Sequence, residues 1–358
     1  MDIADLAALL VPIEGDNPAG TDPREDFSPN SLYFRLRDAR SEARAAERNA
    51  DAAEPGERPA LPQWAPVGRL ATTLLQTQAK DLEAASWLTE ALLRIEGLEG
   101  LAAGFQLLTG LVETFWDDLH PLPDDEGMAR RIAPVAGLNG EGTEGTLIQP
   151  LRKVPLFTLP SGEPLALWQY EQSAELATIT DAARREQRLS AGILPFDDVE
   201  NAARAGIATL RQVRQSARQC IAAWQALEVA FETNNETPPM GRVSDLLDEI
   251  VDIADRYAGS EVAEIDTETP EATAEQPQAQ GAAGGRITTR ETALRTLEEV
   301  AEFFHRTEPH SPLAYTLREA VRRARLTWPE LLEEIVPDFD TRTAILSSLG
   351  IRPPPPPE

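Results

Sequence analysis

The residues best suited to metal binding are two histidines and a glutamate near the C-terminus. His305, Glu308 and His310 have the spacing H-x-x-E-x-H, and imidazole and carboxylate groups are common ligands of zinc. Pro309 lies between them, so a turn rather than one helix face carries the three side chains, and no fourth ligand is evident. We therefore expect polar contacts that fix a turn between two helices, and no metal site.

A second pattern, Gly140-Glu-Gly142-Thr-Glu-Gly145, resembles a dinucleotide-binding loop. Such a loop follows a strand, opens a helix and offers phosphates a positive field. Here the sequence predicts a helix before the loop, and two glutamates, Glu141 and Glu144, place negative charge where phosphates would bind. We interpret the segment as a flexible loop.

The remaining candidates do not combine into a catalytic set. His120 is expected at the end of a helix, where the helix dipole favours a cation. The acidic runs at 117–118 and 124–126 are adjacent in sequence, whereas acid–base pairs need opposed carboxylates in a cleft. The single cysteine, Cys220, has the neighbours of a helix-packing residue. We expect no catalytic residue, no cofactor and no metal ligand.

Charge narrows the class of partners. The chain carries 33 basic and 60 acidic side chains, a net charge of −27, which disfavours nucleic acid and anionic membranes. Solubility and an acidic face for a basic partner both remain possible reasons for this charge. The first ten residues lack the basic region of a signal peptide, and no apolar run approaches the roughly 20 residues that span a bilayer. We expect a cytoplasmic protein.

The secondary structure that positions these residues is predicted to be helical, because Ala and Leu, both strong helix formers, dominate the apolar content. Residues 82–96 and 98–119 have helical apolar spacing around Gly97, with Asp81 as N-cap, and should form an antiparallel hairpin. Prolines interrupt 151–170, where a short β-hairpin is expected around 160–162. Further helices are predicted at 2–10, 32–49, 66–78, 126–138, 197–231 and 243–257. The expected fold is all-α.

Composition divides the chain at residues 259–285, which hold six acids and no lysine or arginine. Such a segment cannot bury enough apolar surface to offset its ordering entropy and should be a disordered tether. The predicted organisation is an N-terminal helical domain at 1–160, a middle helical region at 161–258, the acidic linker at 259–285, a C-terminal helical domain at 286–351 and a proline-rich tail at 352–358.

Four short helices are predicted in the C-terminal domain. The first covers 289–304. The second runs from Pro312 to about 325, with Ser311 as its cap. The third covers 327–336 and begins with a capping box, and the fourth covers 340–349. The first has one apolar stripe, made of Leu294, Leu297, Val300, Ala301 and Phe304. So small a bundle is marginal alone, and oligomerisation is a natural source of further burial. Residues 286–352 have 10 basic and 11 acidic side chains, against 23 and 42 in 1–258, so self-repulsion is least here.

The arginine-rich surface of this domain is either exposed to solvent or part of a protein interface. Arg318, Arg322 and Arg325 share a helix face with Arg323 beside them, suited to acidic residues of a neighbouring subunit. Tryptophans 87, 116 and 328 are expected to anchor cores. The interface candidates are Phe303, Phe304, Glu308, Pro309, His310, Ser311, Pro312, Tyr315, Arg318, Arg322 and Arg325.

Two regions of the chain resemble the TssA/ImpA family of type VI secretion systems. In the first, the N-terminal signature is carried by DNPAGTD at 16–22, KDLEAASWLTEALLR at 80–94 and WDDLHP at 116–121. In the second, FFHRTEPHSP at 303–312, followed by Tyr315 and the arginine-rich helix, is similar to the C-terminal signature of shorter members.

The resemblance implies a cytoplasmic, non-enzymatic structural subunit. It would form a ring-like homo-oligomer through its C-terminal domain and contact baseplate, tube and sheath proteins, in a baseplate-proximal role. Two other hypotheses stay open: a monomeric adaptor that recruits an ATPase or chaperone through its acidic body, and a hydrolase or cofactor enzyme using His120 or residues 305–310. A light-scattering mass tests the first alternative and a zinc assay the second.

Overall fold

The computed structural model describes residues 3–53, 62–125, 127–259, 290–307, 312–324, 326 and 334. The chain divides into two compact units, 1–265 and 266–358. Among the described residues there are thirteen α-helices and one two-stranded sheet, so the predicted all-α class is confirmed.

The first unit contains eleven of the helices. Their bounds are α1 Ile3–Leu9, α2 Leu32–Asp51, α3 Trp64–Thr77, α4 Leu82–Phe115, α5 Ala129–Asn139, α6 Ile148–Arg152, α7 Leu167–Thr178, α8 Ala182–Ser190, α9 Phe196–Ala205, α10 Ile207–Thr233 and α11 Gly241–Ala258. Strands β1, Pro155–Thr158, and β2, Pro164–Ala166, lie between α6 and α7, and a 3-10 turn covers Pro23–Glu25.

Helix α4 is a hairpin folded at Gly97. This glycine has φ 65° and ψ −144°, and a Cβ atom placed on Gly104 would lie 2.7 Å from the side chain of Thr89. In a straight helix these two residues would be about 22 Å apart. The predicted antiparallel hairpin is therefore confirmed, as is its cap, because Asp81 Oδ1 accepts from the Ala84 amide at 2.8 Å.

The core of the first unit forms where α10 packs across α4. The rings of Phe105 and Trp224 are 4.5 Å apart, and Cys220 Sγ donates to the Leu98 carbonyl at 3.0 Å. Burial raises the pKa of Cys220 to about 12, so this thiol packs as a small apolar group, as predicted. One hydrophobic cluster includes residues on both sides of position 160; the subdivision at 160 stays a prediction.

Two local predictions in this unit have different outcomes. The β-hairpin expected around 160–162 is confirmed by antiparallel pairing of β1 with β2. The single helix predicted at 197–231 is wrong, because the chain breaks at Gly206 into α9 and α10. A Cβ atom at Gly206 would lie 3.0 Å from that of Phe157, so tertiary packing against β1 favours glycine there.

The second unit is described over α12, Arg290–Thr307, and α13, Pro312–Ala324. The start of α13 at Pro312 is confirmed. Of the predicted stripe, Leu294 and Ala301 are buried and Phe304 is half-buried, whereas Leu297 and Val300 are more than a third exposed. The linker from residue 260, the predicted helices at 327–336 and 340–349 with Trp328, and the tail at 352–358 lie outside the described residues, apart from Glu334.

Candidate functional site

The three N-terminal signature segments meet at one place, which we call the signature junction (residues 19–22, 79–83 and 119–121). The Lys80 amide donates to the Ala19 carbonyl at 2.7 Å, the His120 amide to Lys80 at 3.0 Å, and the Leu82 amide to His120 at 2.8 Å. Backbone bonds thus join segments that are about 40 to 60 positions apart in sequence. The signature residues therefore include a structural joint.

Gly20 allows this close approach. Its φ is +77°, and a Cβ atom on it would lie 2.1 Å from the Gln78 carbonyl oxygen. Only glycine tolerates both this dihedral angle and this distance from another backbone segment.

Lys80 is a fully buried cation at the junction. Its Nζ donates to the carbonyls of Leu9 and Leu75, at 2.7 and 2.8 Å. These carbonyls belong to the last turns of α1 and α3, where helix carbonyls lack helical partners and carry partial negative charge. Burial lowers the pKa of Lys80 to about 8. The lysine thus ties two helix C-termini together.

The prediction that His120 lies at the end of a helix is wrong. Helix α4 ends at Phe115, and His120 pairs with Asp81 in an isolated parallel bridge. Its Nε2 lies 3.3 Å from the Gly20 carbonyl, and the side chain is buried. Nearby, burial raises the pKa of Asp22, but hydrogen bonds from Arg24 outweigh burial and leave that pKa lowered. These contacts give His120 a packing role in the junction.

Beside the junction, polar and aromatic side chains join α2 to the first arm of α4. We call this set the α2–α4 ladder. Its rungs are Tyr33–Glu83, Arg40–Glu90 and Glu47–Arg94, each a direct hydrogen bond between side chains. The α2 members are spaced by seven residues, so they share one helix face.

The first rung is extended by Arg24. Tyr33 donates its hydroxyl to Glu83 Oε2 at 2.8 Å, and Arg24 bonds Glu83 and Asp81, both at 2.8 Å. The Arg24 guanidinium also lies over the Tyr33 ring, 5.0 Å from its centre. Burial and the Glu83 carboxylate raise the pKa of Tyr33 to about 12.

The middle rung is the most buried. Arg40 contacts both oxygens of Glu90, at 3.0 and 2.7 Å, and Thr146 donates to the same carboxylate at 2.7 Å. Glu90 is only 1% exposed, and Arg40 stacks over the Trp87 ring at 5.2 Å. Bidentate geometry and a third donor are what a buried carboxylate needs.

The third rung repeats the chemistry with its polarity reversed. Arg94 bonds both oxygens of Glu47, at 2.7 and 3.0 Å, and Trp64 Nε1 donates to Glu47 at 3.0 Å. The reversal of acid and base between rungs means that sliding α2 by one heptad would place like charges together. The ladder therefore fixes the register of these helices.

A cleft of about 420 Å³ lies alongside the ladder and is lined by Ser86, Trp87, Pro121, Arg130 and Pro134, among others. Within the described residues the Ser86 hydroxyl in its wall has no hydrogen-bond partner. The ladder carboxylates already balance the ladder arginines that line it. The cleft thus offers space and polar groups without a concentrated charge.

The other sequence candidates lie apart from this site. The acidic pairs 117–118 and 124–125 are exposed, and Glu126 lies outside the described residues. The glycine-rich segment follows helix α5, as predicted, and leads into α6. No group of three His, Cys, Asp or Glu within the described ranges has metal-site geometry.

The C-terminal interface candidates are partly described. Tyr315 is 59% exposed and Phe303 50% exposed, and the ring of His305 meets the edge of Tyr315 at 6.1 Å. Glu308, Pro309, His310, Ser311 and Arg325 lie outside the described residues, so an arrangement of His305, Glu308 and His310 is not part of the structure described.

The arginine face of α13 forms ion pairs within the chain. Arg318 pairs with Glu302 of α12, and Arg322 and Arg323 both pair with Glu319 and Glu334. These arginines are all substantially exposed, and an interface role for them stays a prediction.

Together these features define a helical protein whose buried polar groups hold helices in register. No helix in the described part of the chain is long and apolar enough to cross a membrane. Residues 10–140 match the family model described as ImpA, N-terminal, type VI secretion system, and this range includes all three N-terminal signature segments.

Two known proteins extend the likeness. Over 347 residues the chain is 26% identical to the type VI secretion system component TssA1 of Pseudomonas aeruginosa PAO1, covering 93% of this chain and 95% of that protein. The solved N-terminal domain of the TssA component from Burkholderia cenocepacia, which includes the conserved ImpA_N region, is 28% identical. It matches 71% of this chain and 93% of that domain with a TM-score of 0.57. These matches confirm the resemblance to the TssA/ImpA family of type VI secretion components that the sequence predicted.

The α2–α4 ladder and the role of Lys80 are absent from the sequence predictions. Glu83, Trp87, Glu90 and Arg94 all lie in the signature segment 80–94, but their partners on α2 had no assigned function. The seven-residue spacing of Tyr33, Arg40 and Glu47 was the available signal.

Proposed function

We propose that this chain is a cytoplasmic, non-catalytic assembly subunit of the type VI secretion system that gathers into a ring-like homo-oligomer through residues 286–351. In this proposal, the N-terminal unit contacts baseplate, tube and sheath proteins. The proposal goes beyond the confirmed resemblance to the family in naming the oligomer, its surface and its partners.

The observation that carries the proposal is the exposed apolar set on α12 and α13. Leu297, Val300, Phe303 and Tyr315 are each between 37% and 59% exposed, whereas Leu294, Ala301, Ala314 and Val321 are buried. Exposed apolar and aromatic side chains concentrated on a short helical unit favour a protein interface. A second copy of the same unit is the occupant we propose.

Charge supports a second copy rather than a charged partner at this surface. Residues 286–352 are almost neutral, with 10 basic and 11 acidic side chains, within a chain of net charge −27. Self-association of the acidic N-terminal unit would be opposed by repulsion, and this opposition is much weaker between copies of the C-terminal unit.

The N-terminal unit suits the proposed role of a rigid contact body. The signature junction ties α1, α3 and α4 through Lys80, and the ladder fixes α2 on α4. Rigid arms radiating from a ring would present these surfaces to several partners at once, which raises avidity without new contacts.

The test is the mass of the full chain and of three variants by light scattering. Phe303→Glu and Tyr315→Glu should each reduce the assembly to smaller species, because a charge in an apolar interface is costly without a partner. Val229→Glu is the matched control, since Val229 is 59% exposed on α10 of the first unit, and it should leave the assembly unchanged.

Circular dichroism of each variant checks that helix content is retained. A monomeric wild-type chain would contradict the ring and favour the alternative of a monomeric adaptor. An assembly that tolerates both Phe303→Glu and Tyr315→Glu would place the interface elsewhere.

A further inference from the structure

The cleft alongside the ladder has one side of α5 as a wall, and we call it the ladder cleft. Arg130, Ala133, Pro134 and Gly137 all line it, and their spacing places them on one side of the helix. The side chains of Ala133 and Pro134 are small, and Gly137 has none. This wall of α5 therefore leaves open space above the first arm of α4.

Gly137 has no structural reason to be glycine within the first unit. A Cβ atom placed on it would have no heavy atom of the described chain within 4 Å, and its φ is not in the positive range that other residues avoid. Glycine in a helix costs up to about 1 kcal/mol relative to alanine. The space that Gly137 leaves is therefore part of the cleft and not a packing contact.

Two polar groups of the lining residues lack ordinary partners. Ser86 is 2% exposed, and its hydroxyl has no hydrogen-bond partner within the described residues. Pro134 has no amide hydrogen, so the Arg130 carbonyl lacks its usual helical donor. A buried polar group without a partner is costly. An occupant that offers both a donor and an acceptor would remove this cost.

The charged groups that line the cleft already have partners. Arg24 bonds Glu83 at 2.8 Å and Arg40 bonds Glu90 at 2.7 Å, while Arg130 lies 4.0 Å from the Asp124 carboxylate. A charged occupant would be desolvated without a free counter-ion, which is unfavourable. Trp87, Pro121 and Pro134 add apolar surface. The lining therefore favours an uncharged occupant.

The size of the cleft favours an extended chain over a helix. The wall from Arg130 to Gly137 is about 11 Å long, and a helix of that length, about 10 Å across, would need roughly 800 Å³. The cleft has a volume of about 420 Å³. An extended chain advances about 3.5 Å per residue, so about three residues match the length of the wall. Each of their peptide groups carries one donor and one acceptor.

We propose that the ladder cleft binds an extended, uncharged segment of a partner protein, with its peptide groups paired to the Ser86 hydroxyl and the Arg130 carbonyl. The proposal rests on the proposed function in taking the occupant to be a partner protein. It assigns the N-terminal unit one contact site, between α5 and the ladder.

The experiment selects binders to the full-length wild-type protein from a phage library of random peptides. The enriched peptides are then synthesised with a fluorescent label, and their affinities are measured by fluorescence anisotropy. We expect the selected peptides to be uncharged. Gly137→Leu should weaken their binding by more than about tenfold, because the new side chain occupies the cleft.

Three further variants serve as controls. Gly137→Ala adds only one methyl group and should weaken binding much less than Gly137→Leu. Gly241→Leu makes the same change at an exposed helical glycine with open space around its Cβ, away from the cleft, and should bind as the wild type does. Ser86→Ala should weaken binding about fivefold, as expected for one lost hydrogen bond.

Circular dichroism checks that each variant keeps its helix content. A selection that enriches no peptide, or only peptides that bind Gly137→Leu as tightly as the wild type, would overturn the proposal. Charged peptides whose binding depends on Gly137 would contradict the uncharged occupant. Gly137→Leu should leave the light-scattering mass of the full chain unchanged, so a failure of this proposal is distinguishable from a failure of the ring.

Discussion

Glu90 on α4 accepts hydrogen bonds from both Arg40 Nε and Nη2 on α2, at 3.0 and 2.7 Å, across fifty residues of sequence. The pair lies in the middle of the ladder, with Glu90 almost fully buried and a third bond from Thr146. A charge this deep in the protein persists only with its partners in place. This pair therefore makes the position of α2 on α4 sensitive to single substitutions.

Arg40→Ala should destabilise the first unit by about 3 kcal/mol, because it leaves the Glu90 carboxylate buried with its charge unpaired. Urea unfolding followed by circular dichroism measures this change. Arg37→Ala is the matched control on the same helix, since Arg37 pairs with exposed Asp38 and lies over the Phe34 ring at 5.0 Å without compensating a buried charge. It should change stability by less than about 0.5 kcal/mol.

The double variant Arg40→Met with Glu90→Met distinguishes the effect of an unpaired buried charge on stability from the effect of lost side-chain packing. The double variant should lower the free energy of unfolding by less than Arg40→Ala alone does, since no unpaired ion remains. A cost equal to or greater than that of Arg40→Ala would contradict the role given to the unpaired carboxylate.

The buried cation Lys80 predicts a pH dependence of stability. Its pKa is about 8 in the folded protein, against 10.5 ordinarily, so the unfolded chain binds more protons between these values. Stability from this group therefore rises with pH across the window, by at most about 1.4 kcal/mol per pH unit.

Comparison with Lys80→Met isolates this contribution, because the other titrating groups are common to both proteins. The stability of the wild type relative to Lys80→Met should increase from pH 8 to pH 10 in urea unfolding experiments. A difference that stays constant or shrinks over that range would mean that the ammonium group is not desolvated by folding.

Gly20, the glycine of the signature junction, should tolerate substitution poorly. Gly20→Ala would place a Cβ atom at a positive φ and 2.1 Å from the Gln78 carbonyl oxygen. We therefore expect a loss of stability well above the roughly 1 kcal/mol that an unfavourable φ alone costs. Gly192→Ala has a similar φ of +91° and open space around its Cβ, and should show only that penalty.

Thermal unfolding of both variants tests the comparison. Similar melting temperatures for Gly20→Ala and Gly192→Ala would contradict the close backbone approach in the junction.

Local sequence signals predicted the elements whose causes are local. The hairpin at Gly97 follows from apolar spacing on either side of a glycine, and the capping role of Asp81 from its position before Leu82. The β-hairpin likewise follows from prolines and a glycine between short apolar runs. In these places the residues that determine the structure are neighbours in sequence.

The structure differs from the prediction where contacts between segments distant in sequence determine the local structure. The break at Gly206 depends on Phe157, since helix-forming residues continue on both sides of the glycine. The location of His120 depends on pairing with Asp81, and the ladder depends on side chains fifty residues apart. A fully buried lysine such as Lys80 is rare, and its two carbonyl partners have no sequence signature.

Mass photometry of the intact wild-type chain over a dilution series tests the central claim, self-association through the C-terminal helices. The account predicts a discrete assembly of many 39.1 kDa chains, which is lost in Tyr315→Glu. A single species at the mass of one chain throughout the series would contradict it.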